Sequence, residues 1–173
     1  VQANTLIADL FDGLLRNLHA ALDGVTPEQL TYRPAEHCNT LAWLVWHLTR
    51  VQDKRIGDLS GEAQVWVSQG WHARFGRKAD PQDVGIGFKP EDVAGIRPES
   101  GQLLFDYYDA VRARSRAYLA TLSPEDLDRQ LDPNDPQITA GFRLRQCLLD
   151  NVAHAGQAAY LRGLIEGRMV YPS

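Results

Sequence analysis

A chain of 173 residues with 18 Lys and Arg against 22 Asp and Glu, net charge −4, has no basic run on which to hold a nucleic-acid backbone. Its apolar share of 44% and charged share of 23% are ordinary for a soluble globular protein. No apolar run nears the roughly 20 residues of a membrane span. One domain over residues 1–173 is expected, cytoplasmic by default, since no signal peptide is visible after Val1. Cys38 and Cys147 form no CxxC pair and suggest no disulfide framework.

The first helix is predicted from Asn4 to about Asp23. Leu6, Leu10, Leu14 and Leu18 recur every four residues, Ile7, Phe11, Leu15 and Leu22 widen the stripe, and Gly24 ends it. Thr26-Pro-Glu-Gln-Leu30 reads as a capped single turn, stopped by Arg33-Pro34. Asn39 is the expected N-cap of a second long helix, about Thr40 to Leu59. Its inward face carries Trp43, Leu44, His47 and Val51, with Arg50, Gln52, Asp53 and Arg55 mostly elsewhere.

Residues 60–98 break the pattern. Gln64 to Phe75 suits a short helix bearing Trp66, Trp71 and His72. Gly76, Asp80-Pro81, Gly85, Gly87 and Lys89-Pro90 then supply turn formers. So long a connection, rich in aromatics, is expected to be an ordered flap over a pocket, with Trp66, Trp71, Phe75 and Phe88 near its mouth.

A third helix is predicted from near Glu99 to near Leu122. Leu104, Tyr108, Val111, Ser115, Tyr118 and Leu122 form its seam, and Asp106, Arg112, Arg114 and Arg116 form a solvated face. Ser123-Pro-Glu-Asp-Leu127 repeats the chemistry of residues 26–30. A loop follows, and Thr139 is placed to cap a fourth helix, Ala140 to Glu166. That helix is apolar on nearly all sides, so it is expected to be central or to face a second subunit as well. A homodimer follows as an expectation. No strand is predicted. The fold class is all-α: two helical hairpins making a four-helix bundle, with the long connection between helices two and three.

The chemistry concentrates in Asp150-Asn-Val-Ala-His154-Ala-Gly-Gln157. Asp150 and His154 are one turn apart on a face that Leu161, Leu164 and Ile165 extend inward. A carboxylate and an imidazole on an inward face need a partner. They could simply hydrogen-bond each other. The sharper reading is a divalent metal held by Asp150, His154 and His47 from the second helix. Two imidazoles and a carboxylate suit Zn²⁺ or Ni²⁺ first, with Fe²⁺ or Mn²⁺ as alternatives. Gln157, Trp43, Cys147, Trp71 and His72 are the candidate second-layer and pocket residues, and His19 and His37 are read as surface.

The runs Asn39-Thr-Leu-Ala-Trp-Leu-Val-Trp-His47-Leu and His154-Ala-Gly-Gln157-Ala-Ala-Tyr-Leu-Arg-Gly163 resemble the DinB/YfiT-like superfamily, and the two [T/S]-P-E-x-L segments fit it too. The resemblance covers nearly the whole chain. It implies a four-helix bundle and a divalent metal held by three histidines, two of them spaced H-x-x-x-H before G-Q. It also implies transferases and isomerases that use low-molecular-weight thiols such as bacillithiol or mycothiol. Asp150 stands where that family usually has its third histidine, a departure from the pattern.

Three protein ligands leave an open position, at which water turns acidic and a thiol loses its proton. The activity that the resemblance implies is a thiol-dependent transfer or isomerisation of a small-molecule substrate. The rival readings are a metal-dependent hydrolase and a non-catalytic structural or ligand-binding dimer. No GxSxG or phosphate-binding glycine loop offers another chemistry.

Overall fold

A computed structural model of the chain describes residues 2–170; residue 1 and residues 171–173 of the expected domain lie outside the described residues. In order the elements are α1 Ala3–Leu22, α2 Pro27–Leu30, α3 Leu41–Ser60, α4 Val65–Ser68, α5 Trp71–Arg74, α6 Pro90–Ala94, α7 Gly101–Ala120, α8 Pro124–Leu127, β1 Gln130–Asp132, β2 Asp135–Thr139 and α9 Ala140–Glu166. The protein is mostly helical. None of the described helices is long and apolar enough to cross a membrane.

Each long helix after α1 starts on a hydroxyl. Thr40, Ser100 and Thr139 accept the amides of Trp43, Leu103 and Phe142 at 3.0, 3.2 and 3.1 Å. Thr40 therefore takes the cap expected of Asn39. The helix has to begin where its first turn docks, and Leu41 to Leu44 are all buried. The long helices touch as α3 with α9 and α7, and α1 with α9 and α7. Their shared core runs from Phe11, Leu14 and Leu18 through Trp46, Leu48 and Ile56 to Leu104, Val111, Leu144 and Ala155.

Expectations for four residues along α3 and α7 are corrected. Arg50, Gln52 and Asp53, placed off the core face by periodicity, are completely buried. Other elements cover α3 on nearly every side, so its charges lie inside and are satisfied there. Asp53 accepts the amides of Val65 and Trp66 at 3.0 and 2.8 Å and the Tyr107 hydroxyl at 2.9 Å. Arg114, expected in solvent, reaches in to Asp53 at 3.2 Å. The Gln52 amide meets Ser115 of α7 at 2.9 Å and Asn151 of α9 at 2.7 Å, tying three helices together.

The connection after α3 is ordered. The helix expected over Gln64 to Phe75 is two single turns, α4 and α5, because Gly70 sits between them at φ +72°. Lys89-Pro90 opens α6 instead of a plain turn. The expected absence of strands is also corrected. β1 and β2 pair antiparallel about Pro133-Asn134, where the Asp132 carboxylate accepts the Asn134 amide at 2.9 Å. Most of this ribbon's residues are exposed, so it carries no alternating apolar pattern to read.

On α9, Leu161 is buried as expected, but Leu164 is 47% exposed and points outward. Leu149, Val152 and Tyr160 are exposed as well, at 63%, 48% and 71%.

Candidate metal centre

His47 lies in the second turn of α3, buried, with its ring stacked on Trp43 one turn earlier at 4.4 Å and 7°. Across the helix interface α9 presents Asp150 and His154. The His154 ring meets His47 edge-on at 4.9 Å and Trp43 at 5.8 Å, so Trp43 walls both imidazoles. Asp150 stands between the two: its Oδ1 is 3.5 Å from His154 Nε2, and its Oδ2 is 3.9 Å from His47 Nε2. One donor atom from each residue lies within 4.8 Å of the others, so the set could hold one metal ion.

The outer ring nitrogens decide which way the lone pairs face. His47 Nδ1 bonds the backbone carbonyl of Val84, which can only accept. The neutral ring therefore carries its proton on Nδ1 and its lone pair on Nε2, toward Asp150. His154 Nδ1 donates to Gln157 Oε1 at 2.8 Å, which likewise frees its Nε2. Two imidazole lone pairs and a carboxylate thus converge with no donor among them. Asp150 Oδ2 is buried and has no hydrogen-bond partner. An orphaned acceptor of that kind costs about 1–3 kcal/mol, and a cation at the centre would relieve it. The two-nitrogen, one-oxygen set, with both outer nitrogens held, fits a divalent transition metal.

The electrostatics agree. The Asp150 carboxylate beside His154 is the main cause that raises the imidazole above its ordinary value, the direction in which this spot favours positive charge. Burial lowers His47, against the opposing pull of Val84 and Asp150. Burial also works to raise Asp150, but the His154 contact and the charge of both imidazoles outweigh it, and the net shift is downward.

Gln157 holds the His154 ring by accepting its Nδ1 proton. Cys147, one turn before Asp150, is fully buried, and burial pushes its thiol up to about 12. It is an inert thiol at neutral pH. Trp71 and His72 stand in a separate aromatic cluster: Trp71 packs on Tyr107 at 5.2 Å, and His72 faces Trp66 at 6.4 Å. Trp66 and Phe75 belong to that cluster, and Phe88 stacks on Trp46 at 5.9 Å.

These rings fasten the flap to α3 and α7. What the flap brings to His47 is backbone: the Val84 carbonyl and Gly85. At φ +87°, Gly85 lies so close that a Cβ there would sit 3.0 Å from Trp43 Nε1 and Trp46 Cζ3 and 3.2 Å from His47 Nδ1. A carbonyl leaves no mark on residue identity, so Val84 could not be singled out. The Gly85-Ile-Gly87 pair was the available signal.

Residues 10–158 match the family described as the DinB superfamily. Among curated proteins, none matches the chain. A crystal structure of a conserved protein from Enterococcus faecalis is similar at 29% identity and a TM-score of 0.88, over 97% of this chain and 99% of that one.

Proposed function

The chain belongs to the DinB superfamily, and on that premise we propose that it binds one divalent metal through His47, Asp150 and His154 and uses it in a thiol-dependent transfer or isomerisation. The observation that carries this reading is the convergence of two Nε2 lone pairs on a carboxylate whose Oδ2 lacks a hydrogen-bond partner. We read the four long helices as one four-helix bundle that presents these side chains from facing helices. A bound divalent cation supplies Lewis acidity, lowering the pKa of a thiol or water brought to it.

The chain's own part is to hold and to orient. Val84 and Gln157 keep both Nδ1 protons outward, so Nε2 stays free on each ring. Asp150 adds one negative charge, which favours harder ions than a three-histidine set would. Trp43 gives an apolar wall against which a small substrate can lie. Buried Cys147 is no nucleophile. The nucleophile therefore comes from solution, which suits a low-molecular-weight thiol of the bacillithiol or mycothiol type acting on an electrophilic small molecule.

The Asp150 side chain is 36% exposed, which supports a second reading, hydrolysis by water at the same position. The exposed row of Leu149, Val152 and Tyr160 on α9 supports a homodimer.

The test is metal analysis of the purified protein, followed by thiol consumption with an electrophile. One equivalent of metal and thiol-dependent turnover are expected, both lost in His47→Ala and unchanged in His19→Ala. Turnover without thiol would favour hydrolysis. A metal-free protein whose His47→Ala form behaves like the parent would overturn the site.

A further inference from the structure

We propose that Arg50 is a positioning residue for His47, acting through the strap of residues 81–85 that carries the Val84 carbonyl. This rests on the reading of His47 as a metal ligand. Arg50 and His47 are three apart on α3, so they leave the same side of the helix one turn apart. They take consecutive carbonyls of one strap: Arg50 Nε donates to Asp83 O at 2.9 Å, and His47 Nδ1 donates to Val84 O.

Arg50 is completely buried and uses all five of its N–H groups. Besides Asp83, Nη2 donates to Pro81 O at 3.2 Å and Gln64 Oε1 at 2.9 Å. Nη1 donates to Asp53 Oδ2 at 3.2 Å and the Tyr107 hydroxyl at 3.0 Å. Its guanidinium also lies over the Trp66 ring at 4.5 Å. The strap is therefore fastened from within at Pro81 and at Asp83, and the next carbonyl in the chain has little freedom. Gly85 closes the other side, since it permits the backbone to lie against Trp43, Trp46 and His47.

The Arg77–Asp83 ion pair, at 2.5 and 2.9 Å, holds the same strap from its outer side but is part-exposed. Among the described residues, Arg50 is the side chain besides His47 itself that hydrogen-bonds the strap to the helix bearing His47. A lysine keeps the charge but has three donors on a point ammonium, so it cannot span five acceptors in a plane. With the strap loosened, the His47 proton is no longer held on Nδ1, and the lone pair no longer faces Asp150.

The experiment compares the parent with Arg50→Lys and Gly85→Ala, each with ¹⁵N-labelled histidine. In metal-free protein at fixed alkaline pH, long-range proton–nitrogen spectra read the tautomer of each imidazole. Zn²⁺ affinity is then measured by competition with a chromophoric chelator. The parent should show His47 as a single Nδ1–H tautomer. In Arg50→Lys, His47 should become a mixture of tautomers and Zn²⁺ should bind about tenfold to a hundredfold more weakly. His154, whose Nδ1 rests on Gln157 and not on the strap, should keep its tautomer.

A general loss of structure would disturb both rings, so the difference between them separates positioning from folding. If Arg50→Lys does not fold, Arg50→Gln decides, because it shortens the same side chain without burying a charge; Gly85→Ala, whose Cβ would itself press on His47 Nδ1, serves as the control for a displaced strap. A folded Arg50 variant in which His47 keeps its tautomer and Zn²⁺ its affinity overturns the proposal. Parent protein that binds no Zn²⁺ overturns the metal reading alone, since the tautomers are read without metal.

Discussion

Replacing Asp150 with alanine should have opposite effects on the metal-free and the metal-loaded protein. In the absence of metal the carboxylate gains little. Its Oδ1 contact with His154 joins two part-exposed groups at 3.5 Å, an arrangement worth about 0–1 kcal/mol. Its Oδ2 is buried without a hydrogen bond, which costs about 1–3 kcal/mol. Removing both should leave metal-free stability unchanged or raise it by up to about 3 kcal/mol. With Zn²⁺ at a hundred times its dissociation constant, the parent should gain about 2.7 kcal/mol. If the substitution weakens affinity a hundredfold, the same Zn²⁺ concentration stabilises the variant by only about 0.4 kcal/mol. Urea unfolding of both proteins, with chelator and with Zn²⁺, measures all four quantities. Equal Zn²⁺ stabilisation of parent and variant would refute the reasoning. So would a variant more than about 2 kcal/mol less stable in chelator, because Asp150 would then be a structural ion-pair partner.

Asp150→His should retain or strengthen binding of zinc-like ions, measured by the same chelator competition. Stability should depend on pH in a way that metal reverses. His154 is raised above its ordinary 6.5 and Asp150 is lowered below 3.8. The ion pair's contribution is therefore present below the unfolded imidazole value and lost as pH rises through the folded one. At the acid end it is present above the unfolded carboxyl value and lost as pH falls through the folded one. Coordination needs neutral imidazoles, so Zn²⁺ stabilisation should grow over the same rise in pH that removes the pair, as paired unfolding curves with and without Zn²⁺ would show. Cys147, pushed by burial from 9.0 up to about 12, should resist alkylation in the native state while half-buried Cys38 reacts. Its share of stability should be intact below pH 9.0 and fall as pH rises through about 12, which alkaline unfolding of Cys147→Ala against the parent checks.

The sequence alone determined what is local. Four periodic runs, their caps and the turn formers between them place the helices, because periodicity and capping act within a few residues. Asp150 and His154 were legible as a pair for the same reason: four residues on a helix bring any two side chains to one face. The four-residue leucine repeat of α1 was legible too, but not which leucines are covered. Leu14 and Leu18 are buried, whereas Leu6 and Leu10 are 52% and 44% exposed.

Tertiary structure decided everything that depends on a distant partner. Arg50 and Asp53 read as lying mostly off the core face, because periodicity shows no partner that would make burying a charge tolerable. Those partners, Gln64, Pro81, Asp83 and Tyr107, come from far along the chain. The orientation of His47 depends on a backbone carbonyl 37 residues away. Every residue carries such a carbonyl, so only the folded path of the chain could assign it to Val84.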